Sequence, residues 1–319
     1  MRARRRSWGI AAAAVIVTSA CGSGQSMSTT TSASATATTV VPTTASAASG
    51  PCHGAARPDR YEHVVWIWME NHEVGSVIGS ADAPYETVLA RSCATVERYG
   101  SVGAPSLPNY IGATSGDVHG IHDDAPPSVH PVTADNLFRQ VRAIGGSARS
   151  YQESMSVPCA LTAYGRYAPK HNPAAYYTGA DDRQACQRDD VALGDLTSGA
   201  LATDLATGAL PTFAFITPDL CDDTHDCPVP DGDAWLSRWL GAILASPTYA
   251  QGRTAVFLVW DEPTPMPFIA VAPAIVPGTV GTGTFDHYAL LRATEDLLGL
   301  PAHIGAAATA RDLRTALGL

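Results

Sequence analysis

HVVWIWMENHEVGSVIG, His63 to Gly79, opens as an unbroken apolar run from Val64 to Met69 and stops at Glu70, Asn71 and His72. A run this short, rich in Val, Ile and Trp and with no polar face, fits a strand covered on both sides. Thr212–Ile216, Ala255–Trp260 and Phe268–Ala272 read the same way. Between them lie helical patterns. Asp135–Ala143 begins on a good N-cap residue. Gly232–Leu244 carries Trp235, Leu236, Trp239, Leu240 and Ile243 at helical spacing, and Tyr288–Leu298 is a third. Strands alternating with helices predict an α/β domain with a mainly parallel central sheet and helices on both faces.

The polar residues that stop these strands recur. Glu70 and Asn71 follow the first, Asp261 and Glu262 follow Ala255–Trp260, and Asp219, Asp222, Asp223, His225 and Asp226 follow Thr212–Ile216. In open α/β sheets functional residues gather at the carboxyl ends of the strands. Three strands ending in carboxylates at one edge would repel strongly without a cation. One acid alone at such a position is an ordinary solvated turn; it is the recurrence that predicts a site.

A second stretch, GAPSLPNYIGATSGD from Gly103 to Asp117, places Ser106 two residues before Pro108. Ser is a favoured N-cap and Pro suits a first helical turn. A hydroxyl there faces free amides at the positive end of a helix, a setting that suits phosphate. A simple helix cap is the competing reading of Ser106. No G-x-S-x-G surrounds it, which excludes a serine-hydrolase elbow.

The chain has 319 residues, 45% hydrophobic and 16% charged, enough for one large core. Arg2, Arg4, Arg5 and Arg6 precede an apolar stretch, Ile10–Val17, and residues 1–21 read as an export signal too short for a stable membrane span. Ser19-Ala20-Cys21 resembles a bacterial lipobox, with Thr18 where Leu or Val is usual, so lipidation of Cys21 would anchor the chain to a membrane. Residues 22–50, mostly Ser, Thr and Ala, read as a disordered tether, and the folded domain is expected over 51–319. The formal charge of −10 becomes −14 once the four leader arginines are removed, which excludes a basic nucleic-acid footprint. Lys170 is the single lysine. Six cysteines remain after Cys21, an even set in an exported chain, and sequence neighbours suggest Cys52–Cys93, Cys159–Cys186 and Cys221–Cys227 among the 15 pairings six cysteines allow.

From about His63 to Leu300 the chain resembles a bacterial phosphoesterase family of secreted acid phosphatases and phospholipases C, within the alkaline-phosphatase-like superfamily. The resemblance rests on MENH (Met69–His72), APSLPNY (Ala104–Tyr110), KHNP (Lys170–Pro173), TPDLCDDTHDC (Thr217–Cys227), WDE (Trp260–Glu262) and FDHYALLRATEDLLGL (Phe285–Leu300), in that order. The compact length is similar to that of the mycobacterial-type secreted acid phosphatases. The resemblance implies an alkaline-phosphatase-like fold and a divalent metal ion held by Glu70, Asn71, Ser106, Asp261 and Glu262. It implies that Ser106 is also the nucleophile and that His171, His225 and His287 contact phosphate or protonate the leaving group. Asp226 would orient His225, and Asn109 and Lys170 are assigned to substrate binding.

The expected reaction is hydrolysis of a phosphate monoester through a phosphoserine. A protonated imidazole would hold the phosphate and supply a proton, so an acidic optimum is expected. A phospholipid or phosphoinositide lies within reach of a tethered enzyme. The rivals are a phospholipase C-type phosphodiesterase and a surface lipoprotein that keeps the fold as a binding module.

Overall fold

The computed structural model describes residues 50–319. The expected leader, Cys21 and the Ser/Thr/Ala-rich stretch up to Ser49 lie outside the described residues. Eight strands form one sheet: β1 (His63–Met69), β2 (Ala94–Gly100), β3 (Ala148–Gln152), β4 (Asp190–Ala192), β5 (Phe213–Thr217), β6 (Thr254–Trp260), β7 (Phe268–Val271) and β8 (Thr279–Asp286). Their order is β4-β3-β5-β1-β6-β7-β2-β8. β7 runs antiparallel to β6 and β2, and the other neighbours are parallel. The helices are α1 (Val74–Val77), α2 (Pro84–Ser92), α3 (Ser106–Ser115), α4 (Leu137–Ala143), α5 (Asp182–Asp189), α6 (Ala200–Thr207), α7 (Val229–Leu244), α8 (Pro247–Ala250), α9 (His287–Leu298) and α10 (Leu313–Leu317). The fold is thus the mainly parallel α/β sheet read from the sequence.

Burial explains why the central strands were legible. Every residue of β1 after His63 is buried, as is every residue of β5, β6 and β7. Successive strand residues point to opposite faces, so both faces are covered and both demand apolar side chains. The core beneath the site is aromatic. Trp66 meets Phe213 edge-on at 5.0 Å, and Trp68 packs on Tyr110 at 4.5 Å and on Phe215 at 5.7 Å. Trp66 also donates its indole N–H to Thr294 Oγ1 of α9 at 3.0 Å, tying that helix to the sheet.

Helix starts depart from expectation by a few residues. Asn136, not Asp135, caps α4, its side chain accepting from the Arg139 N–H. α7 begins three residues early, at Val229, with a proline in its first turn. α9 begins at His287 because the Asp286 side chain accepts from the Ala289 N–H. The three disulfides are Cys52–Cys93, Cys159–Cys186 and Cys221–Cys227, as the sequence neighbours suggested.

Register delivers the site. Met69 pairs with Trp260, so β1 and β6 end level and their next residues, Glu70 and Asp261, emerge side by side. On the other flank Glu70 N–H donates to the Asp223 carbonyl at 2.8 Å, docking the loop after β5 against the same strand end.

Candidate active site

The acid, amide and imidazole that end β1 take three different directions. Glu70 is fully buried. Asn71 adopts a left-handed backbone, φ 54°, an uncommon conformation that Asn tolerates better than most residues. Its N–H reaches Asp261 Oδ1 at 3.1 Å. The His72 ring is half-buried against the Thr224 backbone, and burial lowers its basicity. Asp261 is fully buried too; Oδ1 also accepts from the Glu262 N–H at 2.7 Å, while Oδ2 has no hydrogen-bond partner among the described residues.

Ser106 comes to this pair from α3. It is the first helical residue and Pro105 occupies the cap position, so the competing reading of a serine cap does not hold. The hydroxyl is not spent on the helix: Oγ donates to Glu70 Oε2 at 3.1 Å, lies against the Asp261 carboxyl, and is 2% exposed. One turn on, Tyr110 donates its hydroxyl to Glu70 Oε1. Tyr110 stands at i+4 from Ser106, a spacing that places both on one helix face. Asn109 does something other than bind substrate here. Its buried oxygen accepts from the Val102 and Gly103 N–H groups at 2.9 Å each, and its amino group donates to the Pro105 carbonyl. It holds the loop that presents Ser106.

The third wall comes from Lys170–Asn172 and from the loop after β5. His171 is 2% exposed, with Nδ1 3.1 Å from Asp223 Oδ2 and Nε2 3.3 Å from Glu70 Oε1 but without a hydrogen bond at that nitrogen. Its ring stacks on Tyr110 at 5.3 Å. Asp223 also accepts from the His225 N–H at 2.8 Å, so one buried carboxylate organises both imidazoles. His225 is more open. Its Nδ1 meets Asp226 Oδ1 at 2.7 Å, its Nε2 meets Lys170 Nζ at 3.1 Å, and its ring lies 5.6 Å from that of His171. Lys170 in turn donates to Asp124 Oδ2 at 3.2 Å. The Cys221–Cys227 bridge closes this acidic loop, which includes Thr224 at φ 75°.

His287 does not join the cluster. It is fully buried, one ring nitrogen facing the Tyr99 hydroxyl at 3.2 Å and the other the Asp261 carbonyl at 3.0 Å. Burial drives its pKa down to about 4, and its ring packs on Trp68 at 4.8 Å. Both nitrogens being engaged inside the core, the expected contact with phosphate is corrected to a structural brace beneath the Asp261 turn. Glu262 is half-buried at the rim, its carboxyl raised to about 7 by burial and by the Asp261 and Asp124 charges.

The charges at the centre are costly. Glu70 is pushed well above the usual carboxylate range by burial and by the Asp261 and Asp223 charges. Burial raises Asp223 to about 8 and lifts Asp261 as well. His171 is held well below an ordinary imidazole by burial and by the neighbouring Lys170 and His225. A divalent cation fits this set: Glu70, Asp261 and the Ser106 hydroxyl are hard oxygen donors, and Asp261 Oδ2 is buried and unpartnered. Glu70, His171 and His225 also offer atoms within 4.8 Å of one another. Of the residues read from sequence, the fold gathers Glu70, Asn71, Ser106, Asp261, Glu262, Lys170, His171, His225 and Asp226. Tyr110, Asp124 and Asp223 complete the arrangement and were not assigned roles from sequence. For Tyr110 the i+4 spacing from Ser106 was an available signal.

This is the arrangement of a phosphate-ester hydrolase on an alkaline-phosphatase-like sheet, and comparison with known proteins agrees. The chain belongs to the phosphoesterase family, whose model matches residues 66–264. It is 27% identical over 248 residues to phosphatidylinositol-3-phosphatase of Mycobacterium tuberculosis, covering 76% of this chain and 78% of that protein. It is 27% identical over 256 residues to an acid phosphatase of Aspergillus fumigatus, covering 74% of this chain but 54% of the fungal enzyme. In fold it is similar to a lipoteichoic acid synthase, LtaP, of Listeria monocytogenes, with a TM-score of 0.55 at 10% identity over 82% of this chain and 78% of that one. An alkaline phosphatase superfamily protein of Vibrio parahaemolyticus gives a TM-score of 0.50 at 12% identity, over 80% and 70%. The protein is a hydrolase acting on phosphoester bonds.

Proposed function

We propose that this chain is an exported, metal-dependent phosphomonoesterase that works through a phosphoserine on Ser106. The observation that carries the reading is the Ser106 hydroxyl, nearly buried, donating to Glu70, whose other oxygen lies 3.3 Å from His171 Nε2, while Asp261 Oδ2 is left without a hydrogen bond. Glu70, Asp261 and Ser106, with Asn71 and Glu262 at the rim, are the residues that would hold a divalent cation. Such an ion, when bound, supplies Lewis acidity toward phosphoryl oxygens and favours the ionised serine.

The remaining steps fall to the protein. Ser106 gives up its hydroxyl proton to water as Oγ attacks phosphorus, and the ester P–O bond breaks on the opposite side. The departing alkoxide takes a proton from the Lys170–His225 pair, which Asp226 orients through His225 Nδ1. Water then attacks the phosphoserine, its proton returning to that pair, and Ser106 recovers its own. His171, pinned by Asp223 and too buried to exchange readily with solvent, serves to orient rather than to shuttle protons.

Export is supported by three disulfides downstream of a leader-like N-terminus. Phosphoinositides enter as a substrate class through the mycobacterial relative. An N-terminal lipid at Cys21 and a folded domain over 51–319 belong to the same reading. The test is phosphate release from an aryl monophosphate across pH, with and without chelator, beside the corresponding diester. Release that survives exhaustive chelation would remove the metal from this reading, and a preference for the diester would replace monoesterase by phosphodiesterase.

A further inference from the structure

Asp124 lies in the loop between α3 and α4, and its two oxygens are occupied by donors from two other segments. Oδ1 accepts the N–H of Leu107, 17 residues earlier, at 3.0 Å; Oδ2 accepts from Lys170 Nζ at 3.2 Å. Leu107 directly follows Ser106 and is the second residue of α3, so its N–H has no partner within the helix and sits at the positive end of a ten-residue helix. Lys170 carries the chain's one ammonium side chain. An amide at a helix start, one residue from a buried hydroxyl, and an ammonium that shares its carboxylate are donors that suit a phosphoryl group. His171 Nε2 borders them; it is unpartnered among the described residues, and its residue is 2% exposed. It lies 3.3 Å from the Glu70 carboxylate that receives Ser106 Oγ.

We propose that Asp124 is a resident anion on the phosphate seat, a carboxylate that substrate must displace from Leu107 N–H and Lys170 before phosphorus can reach Ser106. The inference rests on the phosphoesterase reading for the identity of the incoming group. The edge of a carboxylate offers two oxygens, as one face of a phosphate does. The Asp124 side chain is 28% exposed, so it can turn out to solvent when displaced. Two consequences follow. Apparent affinity for phosphate falls in proportion to the fraction of molecules whose seat is open. Displacement also selects for charge: a monoester dianion outcompetes a singly charged carboxylate on the same donors, whereas a diester monoanion has no such advantage. Asp124 is then a specificity-determining residue, favouring monoesters.

The competing reading is that Asp124 only steadies Lys170 and the start of α3. Calorimetric titration with inorganic phosphate separates the two, on the full chain with and without added divalent cation. Asp124→Asn keeps an oxygen for the Leu107 N–H, so the helix start retains its partner. Asp123→Asn removes the same charge one residue away, from a side chain that meets His130 Nε2 at 2.6 Å instead. A resident anion predicts phosphate bound about three- to tenfold more tightly by Asp124→Asn and within about twofold of wild type by Asp123→Asn. Unchanged or weaker binding in Asp124→Asn overturns the proposal, as does equal tightening in both variants. A crystal of the wild-type protein with phosphate gives a second reading that needs no variant. Phosphate on the Leu107 N–H with Asp124 swung away supports the proposal; Asp124 still bonded to that N–H beside bound phosphate refutes it. Binding is read without turnover, so failure here leaves the phosphatase reading standing, and a chain inert toward monoesters still returns an answer.

Discussion

Glu86 and Asp233, where α2 meets α7, are nearly as deeply buried as Glu70 and Asp261 at the strand ends, at 1% and 6% exposure against 0% for both. Both groupings raise a carboxyl well above its usual range, and burial is the main cause in each. Their partners differ. Asp233 accepts the Tyr85 and Glu86 N–H groups at 3.2 and 2.9 Å, supplying the cap that Ala83 cannot give to α2. Glu86, raised to about 8, stays protonated at neutral pH; two backbone amides serve Asp233, while Glu86 Oε2 is buried without a partner among the described residues. At the strand ends three carboxylates converge; backbone N–H groups of Asn71, Glu262 and His225 serve Asp261 and Asp223, but side chains join them as donors, the Ser106 and Tyr110 hydroxyls and the His171 ring. A displaced carboxyl pKa therefore marks burial; exchangeable side-chain donors around it mark a place where chemistry can occur.

The largest effect expected from this contrast is at Ser106. Ser106→Ala should reduce turnover to background while the melting temperature stays near that of wild type, because the hydroxyl serves Glu70 and not the helix. Activity above about a tenth of wild type would exclude a covalent role for this residue. Next comes Asp261→Asn, expected to lower turnover by at least about 10²-fold. In chelator the same variant should be more stable than wild type by about 1–2 kcal/mol, since a crowded buried charge is gone. A divalent cation at a hundredfold excess over its Kd should stabilise wild type by about 2.7 kcal/mol and the variant by much less. Equal stabilisation of both, read by thermal melts, would move the ion elsewhere.

The Glu86 pair gives the opposite behaviour, a pH effect on stability without one on catalysis. Glu86 ionises near 4.5 in the unfolded chain and near 8 in the folded one. Between those values the unfolded chain releases its proton first, so this residue lowers stability as pH rises through that window, by on the order of 5 kcal/mol in all. Glu86→Gln should flatten that slope in urea melts from pH 5 to 8 and leave kcat untouched. The smallest effect is at Asn109. Asn109→Ala frees the Val102 and Gly103 N–H groups and should cost about 1–2 kcal/mol, with KM within about twofold of wild type. A large rise in KM without loss of stability would restore its assignment to substrate binding.

The strands flanking the site were legible because burial on both faces forces continuous apolar runs, as in VVWIWM and AVFLVW. β2, ATVERYG, and the edge strand β8, TVGTGTFD, are partly exposed and mix polar residues into the pattern, which hid them. Glu70 and Asp261 could be read from strand ends alone. Asp223 could not be chosen from among Asp219, Asp222, Asp223 and Asp226, since only folding selects the one that faces His171. His287 misled because a motif position shows that a residue is wanted there and not which way its ring points; both its nitrogens are bonded beneath the surface. Asp124 meets Leu107 and Lys170 through a loop crossing that no periodicity encodes.

Lys170 has a practical consequence as well. All other cationic side chains apart from histidine are arginines, so the molecule carries a single ε-amine, 20% exposed, set between Asp124 and His225. Apart from the α-amino group, an amine-selective reagent has one target, and that target borders the candidate site. Coupling the protein to an amine-reactive resin, dye or crosslinker would therefore modify the candidate site, so attachment chemistry for this chain is better directed at carboxylates on the far surface or at an added tag.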